Sequence, residues 1–134
     1  MLDYVKILLA MTVTFLALDG LWLGLIAQKF YQKHIGHIMA AQPNFTAAIV
    51  FYTIYLVGIL VLVVVPAGRA YSLVQAAGMG ALLGLMCYAT YDLTSQAVVK
   101  NWPTIVTVVD LTWGVFITTI VAVVGYWVAS VLFI

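Results

Sequence analysis

The sequence predicts an all-α integral membrane protein, a bundle of four transmembrane helices with a short interfacial helix in its first loop. Three observations lead there. Of 134 residues, 66% are hydrophobic and 7% charged, against about 25% charged in a soluble globule. The uncharged stretches fall into four runs, each near the ~20 residues that cross about 30 Å of hydrocarbon. The few acids inside those runs recur with small and aromatic residues at helical spacing, a pattern that faces a bundle interior rather than lipid.

The first run spans Val5 to Ala27 and is read as a retained helix that also directs insertion. Lys6 before an apolar stretch imitates a signal peptide, but Asp19 lies inside it and no small-residue cleavage site follows. The second span covers Thr46 to Val65, ended by Pro66, Gly68 and Arg69. The third runs from Leu73 to Thr94, and the fourth from Pro103 to about Tyr126. Asn44 and Asn101 stand where helix caps belong, and Pro103 suits a first turn. The whole of 1–134 then reads as a single transmembrane domain. Between the first two spans, residues 28–42 place Phe30, Tyr31, Ile35, Ile38 and Met39 at helical spacing, with Lys29, Lys33 and His37 on another face. That pattern suits a helix lying in the interface over the bundle mouth. An even number of spans puts both termini on one side of the membrane. Lys29, Lys33 and Lys100 flank the first and third loops, against Lys6 and Arg69 on the other side. A margin of three to two is too small to fix orientation.

Charge excludes more than it assigns. Five basic and four acidic residues leave a net charge of +1, with no basic cluster to neutralise phosphates, so nucleic acid is not a partner. The single cysteine, Cys87, has no disulfide partner within the chain. Nucleotide and phosphate-loop fingerprints are absent, and the sequence leaves any cofactor unknown.

Asp19, Asp92 and Asp110 carry the functional signal. Intramembrane carboxylates are costly and usually mark a cavity or relay. Counted from the loop ends at 1.5 Å per residue, all three are expected in one layer roughly 10–12 Å from the same membrane face, with Tyr52 level with them. Gly80, Gly84, Tyr88 and Asp92 share one stripe, and Thr107, Asp110, Gly114 and Thr118 another. Thr12, Phe15, Asp19, Trp22 and Ile26 share a face of the first span, and Tyr91 adds a hydroxyl beside Asp92. Asp19 with Trp22 and Asp110 with Trp113 repeat one spacing, a rhyme consistent with an inverted repeat or with chance. Three acids held close together cannot comfortably all ionise, so at least one is expected to be neutral at pH 7 unless a cation binds. The plainer reading is that each Asp only joins helices through hydrogen bonds. His34 lies on the apolar face of the interfacial segment and is read as pointing toward the acids. It is a weak metal candidate together with His37.

Several stretches resemble a known family. Asp19-Gly20-Leu21-Trp22-Leu23-Gly24, Phe30-Tyr31 with Ile35-Gly36, Tyr88-Ala89-Thr90-Tyr91-Asp92-Leu93-Thr94, and Trp102-Pro103 with Val109-Asp110-Leu111-Thr112-Trp113-Gly114 look like the DUF2177 family of small bacterial membrane proteins. The resemblance covers nearly the whole chain; Ser95 departs from it, since members often carry Asn there. It implies a multi-pass protein of the bacterial inner membrane. Neighbourhood of family genes to lipid-modifying and photo-oxidative-stress genes implies a lipid-linked role, with no activity assigned.

Three functions compete at this point. The first is a carboxylate-lined pocket, formed by Asp19, Asp92, Asp110, Tyr52, Tyr88, Tyr91, Trp22, Trp113 and His34, that binds or conducts a proton, a cation or a lipid-like molecule. The second is a membrane enzyme or accessory subunit in lipid modification, with an Asp as acid or base. The third is a structural subunit of a larger membrane complex. Membrane lipids are the expected partners, with a homodimer through Gly80 and Gly84 or a larger complex beside them.

Overall fold

The computed structural model describes residues 1–133, and every regular element among them is helical. Four helices are long and apolar enough to cross a membrane: α1 (Leu2–Ile38), α2 (Phe45–Arg69), α3 (Leu73–Val98) and α4 (Thr104–Phe133). They form a multi-pass bundle whose outer faces, with Leu9, Val13, Leu62, Val74 and Val131 among them, are apolar and exposed, as contact with lipid requires.

α4 is the hub. Val106, Asp110, Gly114, Ile117 and Val121 are buried on one stripe, and Thr107, Thr118, Ala122, Gly125 and Ala129 on the neighbouring one. Two adjacent stripes let one helix pack against α3 on one side and α1 on the other. Glycines set the closeness of these contacts. A Cβ at Gly80 would stand 2.9 Å from the Ala122 Cβ, and one at Gly84 2.8 Å from the Thr118 Cβ. At Gly125 it would stand 2.8 Å from Val64 Cγ2 and 2.9 Å from Met11 Sδ, where α1 and α2 both reach α4. Gly80 and Gly84, expected at an interface between copies, are therefore occupied within the chain.

Two π-helical turns shape the bundle. In α1 the turn Leu23–Ala27 adds a residue to the helix, so the buried position after Trp22 is Ala27, while Ile26 is exposed. The expectation that Ile26 shares the face of Asp19 fails for this reason. The helix does not stop at Ala27 either: residues Gln28–Ile35 continue it, and a short 3₁₀ turn, Gly36–Ile38, ends it. Residues 28–38 are thus helical, but they extend the first span as one helix instead of forming a separate helix of their own. In α2 the π turn Leu60–Val64 precedes Pro66, with the Val65 N–H bonded to the Leu60 carbonyl. The widened turn relieves the clash of the proline ring with the preceding turn, and the helix passes through Pro66 to Arg69.

The caps differ in part from expectation. Asn44 accepts a bond from the Ala47 N–H at 3.1 Å, and Ser72 caps α3 by accepting from Gln75 N at 3.0 Å. Asn101 does not cap α4. It takes a left-handed backbone, φ 60°, which Asn tolerates, and turns the chain before Pro103. Threonines that lack a partner on another helix bond to their own, as the half-buried Thr12 does to the Leu8 carbonyl at 2.7 Å and the exposed Thr112 to that of Val108 at 2.8 Å.

Candidate functional site

The helices pair in antiparallel register, which fixes where each acid lies. Tyr4 meets Phe133 with ring centroids 5.5 Å apart, Trp22 stacks on Trp113 at 4.7 Å and 11°, and Tyr31 donates to Asp110. Trp22 and Trp113 are thus level. Asp19 lies three residues to the inner side of that stack on α1, and Asp110 three residues to the outer side on α4, a separation of about 9 Å along the axis. On α3, Gly80 faces Ala122 and Gly84 faces Thr118, so Asp92 comes level with Asp110 to within about a turn. The single layer expected from the sequence is therefore two. Asp92 and Asp110 share one, within electrostatic reach of each other, and Asp19 lies deeper with Tyr52. Counting inward from Ala27 misplaced Asp19, because α1 does not end there.

All three acids are buried: Asp19 is 9% exposed, Asp110 7% and Asp92 0%. Two of them have tyrosine partners. Tyr52 OH donates to Asp19 Oδ2 at 2.8 Å, and Tyr31 OH donates to Asp110 Oδ1. Asp92 has no such donor; both of its carboxyl oxygens are buried, and the group they meet is the carboxyl of Asp110. The indole N–H of Trp113 is likewise buried and unpaired. Such groups are uncommon because each forfeits its hydration with no return.

These side chains line one cavity of about 620 Å³. α1 supplies Asp19, Trp22, Leu23, Tyr31 and Ile35, and the following turn Met39; α2 supplies Ala48, Phe51 and Tyr52. α3 contributes Cys87, Tyr88, Tyr91 and Asp92, and Trp102, Asp110 and Trp113 close the remaining wall. Local packing holds the rings in place. Tyr88 lies where a Cβ on Gly114 would be, so Gly114 makes room for its ring. Trp102 donates to Thr107 Oγ1 at 3.1 Å and meets Tyr91 edge-on at 6.0 Å. Phe15 supports Tyr52 from beneath at 5.1 Å. No Lys, Arg or His among the described residues lines the cavity, so nothing within the chain neutralises its carboxyls. No three His, Cys, Asp or Glu side chains among the described residues converge as a metal site.

Eight of the nine residues selected from the sequence border this cavity: Asp19, Asp92, Asp110, Tyr52, Tyr88, Tyr91, Trp22 and Trp113. His34 does not; it packs against Phe30, ring centroids 4.6 Å apart. His37 is exposed beyond the end of α1's regular turns. The acid partner that sequence reasoning missed is Tyr31, assigned to an apolar interfacial face although its hydroxyl reaches Asp110. The signal available was the pairing Phe30-Tyr31 within the family-like stretches. Trp102 was also missed, since it stood in a loop.

Fold and cavity together define a small four-helix membrane protein with a buried acidic and aromatic core. The chain belongs to the DUF2177 family, described as a predicted membrane protein, whose model matches residues 4–127 and so includes the entire cavity lining. No curated protein and no solved structure matches it.

Proposed function

We propose that this membrane protein binds or conducts a small species, a proton, a cation or a lipid-like molecule, in its carboxylate-lined cavity. The residues assigned to the site are Asp19, Asp92, Asp110, Tyr52, Tyr88, Tyr91, Trp22 and Trp113. One observation carries the reading: at the cavity wall Asp92 faces the carboxyl of Asp110, with both of its oxygens buried and no donor from the chain. A carboxyl that only joined helices would have a donor, as Asp19 and Asp110 do. Retaining Asp92 in this condition costs stability, and binding of a complementary group offsets that cost.

The bilayer is read as the bacterial inner membrane, with both termini on one side. Four spans and the approach of Tyr4 to Phe133 support that arrangement. A homodimer or larger complex would have to use a face other than the Gly80–Gly84 stripe, which α4 already covers.

Thermal unfolding in dodecyl maltoside tests the reading, with protons, alkali cations, organic amines and short-chain lipids supplied in turn. At least one species should raise the Tm of the wild type and leave that of Asp92→Asn unmoved. If no species acts, or if both proteins respond alike, the cavity is a packing defect and the reading falls.

A further inference from the structure

The form of the cavity narrows the ligand beyond a small species, and the narrowing rests on the binding reading above. We propose that it takes a lipophilic organic ammonium cation, with the facing carboxyls of Asp92 and Asp110 as its counter-ion and the surrounding rings as its cage.

The sign of the charge follows from the lining. Three carboxyls border the cavity and no Lys, Arg or His among the described residues does. An anion would meet only repulsion there. A phospholipid headgroup brings a phosphate with its ammonium, and that phosphate would lack any cationic partner. A free ammonium is therefore favoured over a headgroup.

The kind of cation follows from geometry. A hard metal ion requires about six oxygen ligands gathered around one point. Here Asp19 lies about 9 Å from the level of Asp110 along the bundle, and no three metal-ligating side chains among the described residues converge. What does surround the space is aromatic: Trp22, Phe51, Tyr88, Tyr91, Trp102 and Trp113. Aromatic faces attract a diffuse cation through their quadrupoles, most strongly where water is excluded, and their bulk accepts its apolar substituents. An inorganic ion gains little from such walls and keeps its water. A volume of about 620 Å³ also exceeds what a bare ion fills and suits a molecule with an apolar body. The facing carboxyls of Asp92 and Asp110 supply the negative charge for the ammonium head: no donor from the chain satisfies Asp92, and Tyr31 engages only one oxygen of Asp110.

The test compares three probes by titration calorimetry in dodecyl maltoside, each corrected for empty micelles. Phenyltrimethylammonium is the free cation, tert-butylbenzene its uncharged counterpart of the same shape, and dihexanoylphosphatidylcholine the headgroup source. The cation should bind saturably at one site, about tenfold or more tighter than either comparator. Asp92→Asn should weaken it by about tenfold or more, with near-ultraviolet circular dichroism showing that the variant is folded. Equal binding of cation and hydrocarbon overturns the proposal and leaves a cavity that binds apolar molecules. Tighter binding of the phospholipid overturns the choice of a free ammonium. No binding of phenyltrimethylammonium, where the thermal screen finds another species, overturns the proposal alone; silence in both experiments overturns the binding reading with it. The wild-type comparison decides these outcomes even if the variant does not fold.

Discussion

Asp92 and its two acidic neighbours occupy similar burial but opposite energetic positions. Asp92 has lost water and gained no donor, only the neighbouring carboxyl of Asp110, whereas Asp19 and Asp110 each hold a tyrosine hydroxyl. Replacing Asp92 with Leu should accordingly raise stability by about 1–3 kcal/mol, the penalty of an unpaired buried polar group, while abolishing the function assigned to the cavity. Tyr52→Phe and Tyr31→Phe should each cost about 0.6 kcal/mol and no more than about 1.7, the range for hydrogen bonds between membrane helices. Reversible unfolding in micelles measures all three, and a destabilised Asp92→Leu protein would contradict the account of Asp92. Glycines divide in the same manner. A methyl at Gly84 or Gly114 meets Thr118 or the Tyr88 ring, so either alanine variant should lose about 1–3 kcal/mol by overpacking. Gly20 and Gly24 have open space around the same position, and alanine there should add about 0.5–1 kcal/mol of helix stability.

Among the elements, the π turn of α1 has the largest effect on the cavity. It absorbs one residue, keeping Asp19 and Tyr31 both turned inward on a helix that continues to Ile38. Deleting Leu25, which is exposed, should convert the turn to α-helix and retain the inward face on both sides. Inserting an alanine after Gly24 should rotate the remainder by about 100° and carry Tyr31 away from Asp110. Thermal unfolding should therefore show the deletion tolerated and the insertion destabilised by about 1–2 kcal/mol or more. This element also marks the limit of what periodicity reveals. The spans were legible because long apolar runs leave few alternatives, and the stripes through Gly84, Asp92, Asp110 and Gly114 were legible because α3 and α4 keep regular α geometry. The π turns were not, since an i→i+5 bond depends on tertiary packing rather than on residue type. The first turn, invisible to a period of about 3.6 residues, is why Ile26 lies outward, and the continuation of α1 to Ile38 is why Asp19 lies deeper than Asp110 and Tyr31 reaches the cavity. Asp92 was recognised as a candidate, but its lack of a donor depends on distances that no spacing encodes.

The molecule as a whole places its cavity toward one end, below the continuation of α1, and packs Ile7, Met11, Val63, Val64, Val121 and Ala122 into an apolar core toward the other. The termini lie at that second end, with Tyr4 beside Phe133. In a Cys87→Ser background, cysteines placed at Leu2 and Phe133 should react with an impermeant maleimide from the same side of sealed vesicles, and one at Gln42 from the opposite side. Labelling of Leu2 and Phe133 from different sides would refute the arrangement.

The stack of Trp22 on Trp113 has a further consequence, an optical one. Two near-parallel indoles with centroids 4.7 Å apart should couple their excitations, to a degree set by both their separation and how the rings are turned. Because one ring belongs to α1 and the other to α4, a near-ultraviolet dichroic band lost alike in Trp22→Phe and Trp113→Phe would report the contact of the two helices at the cavity wall.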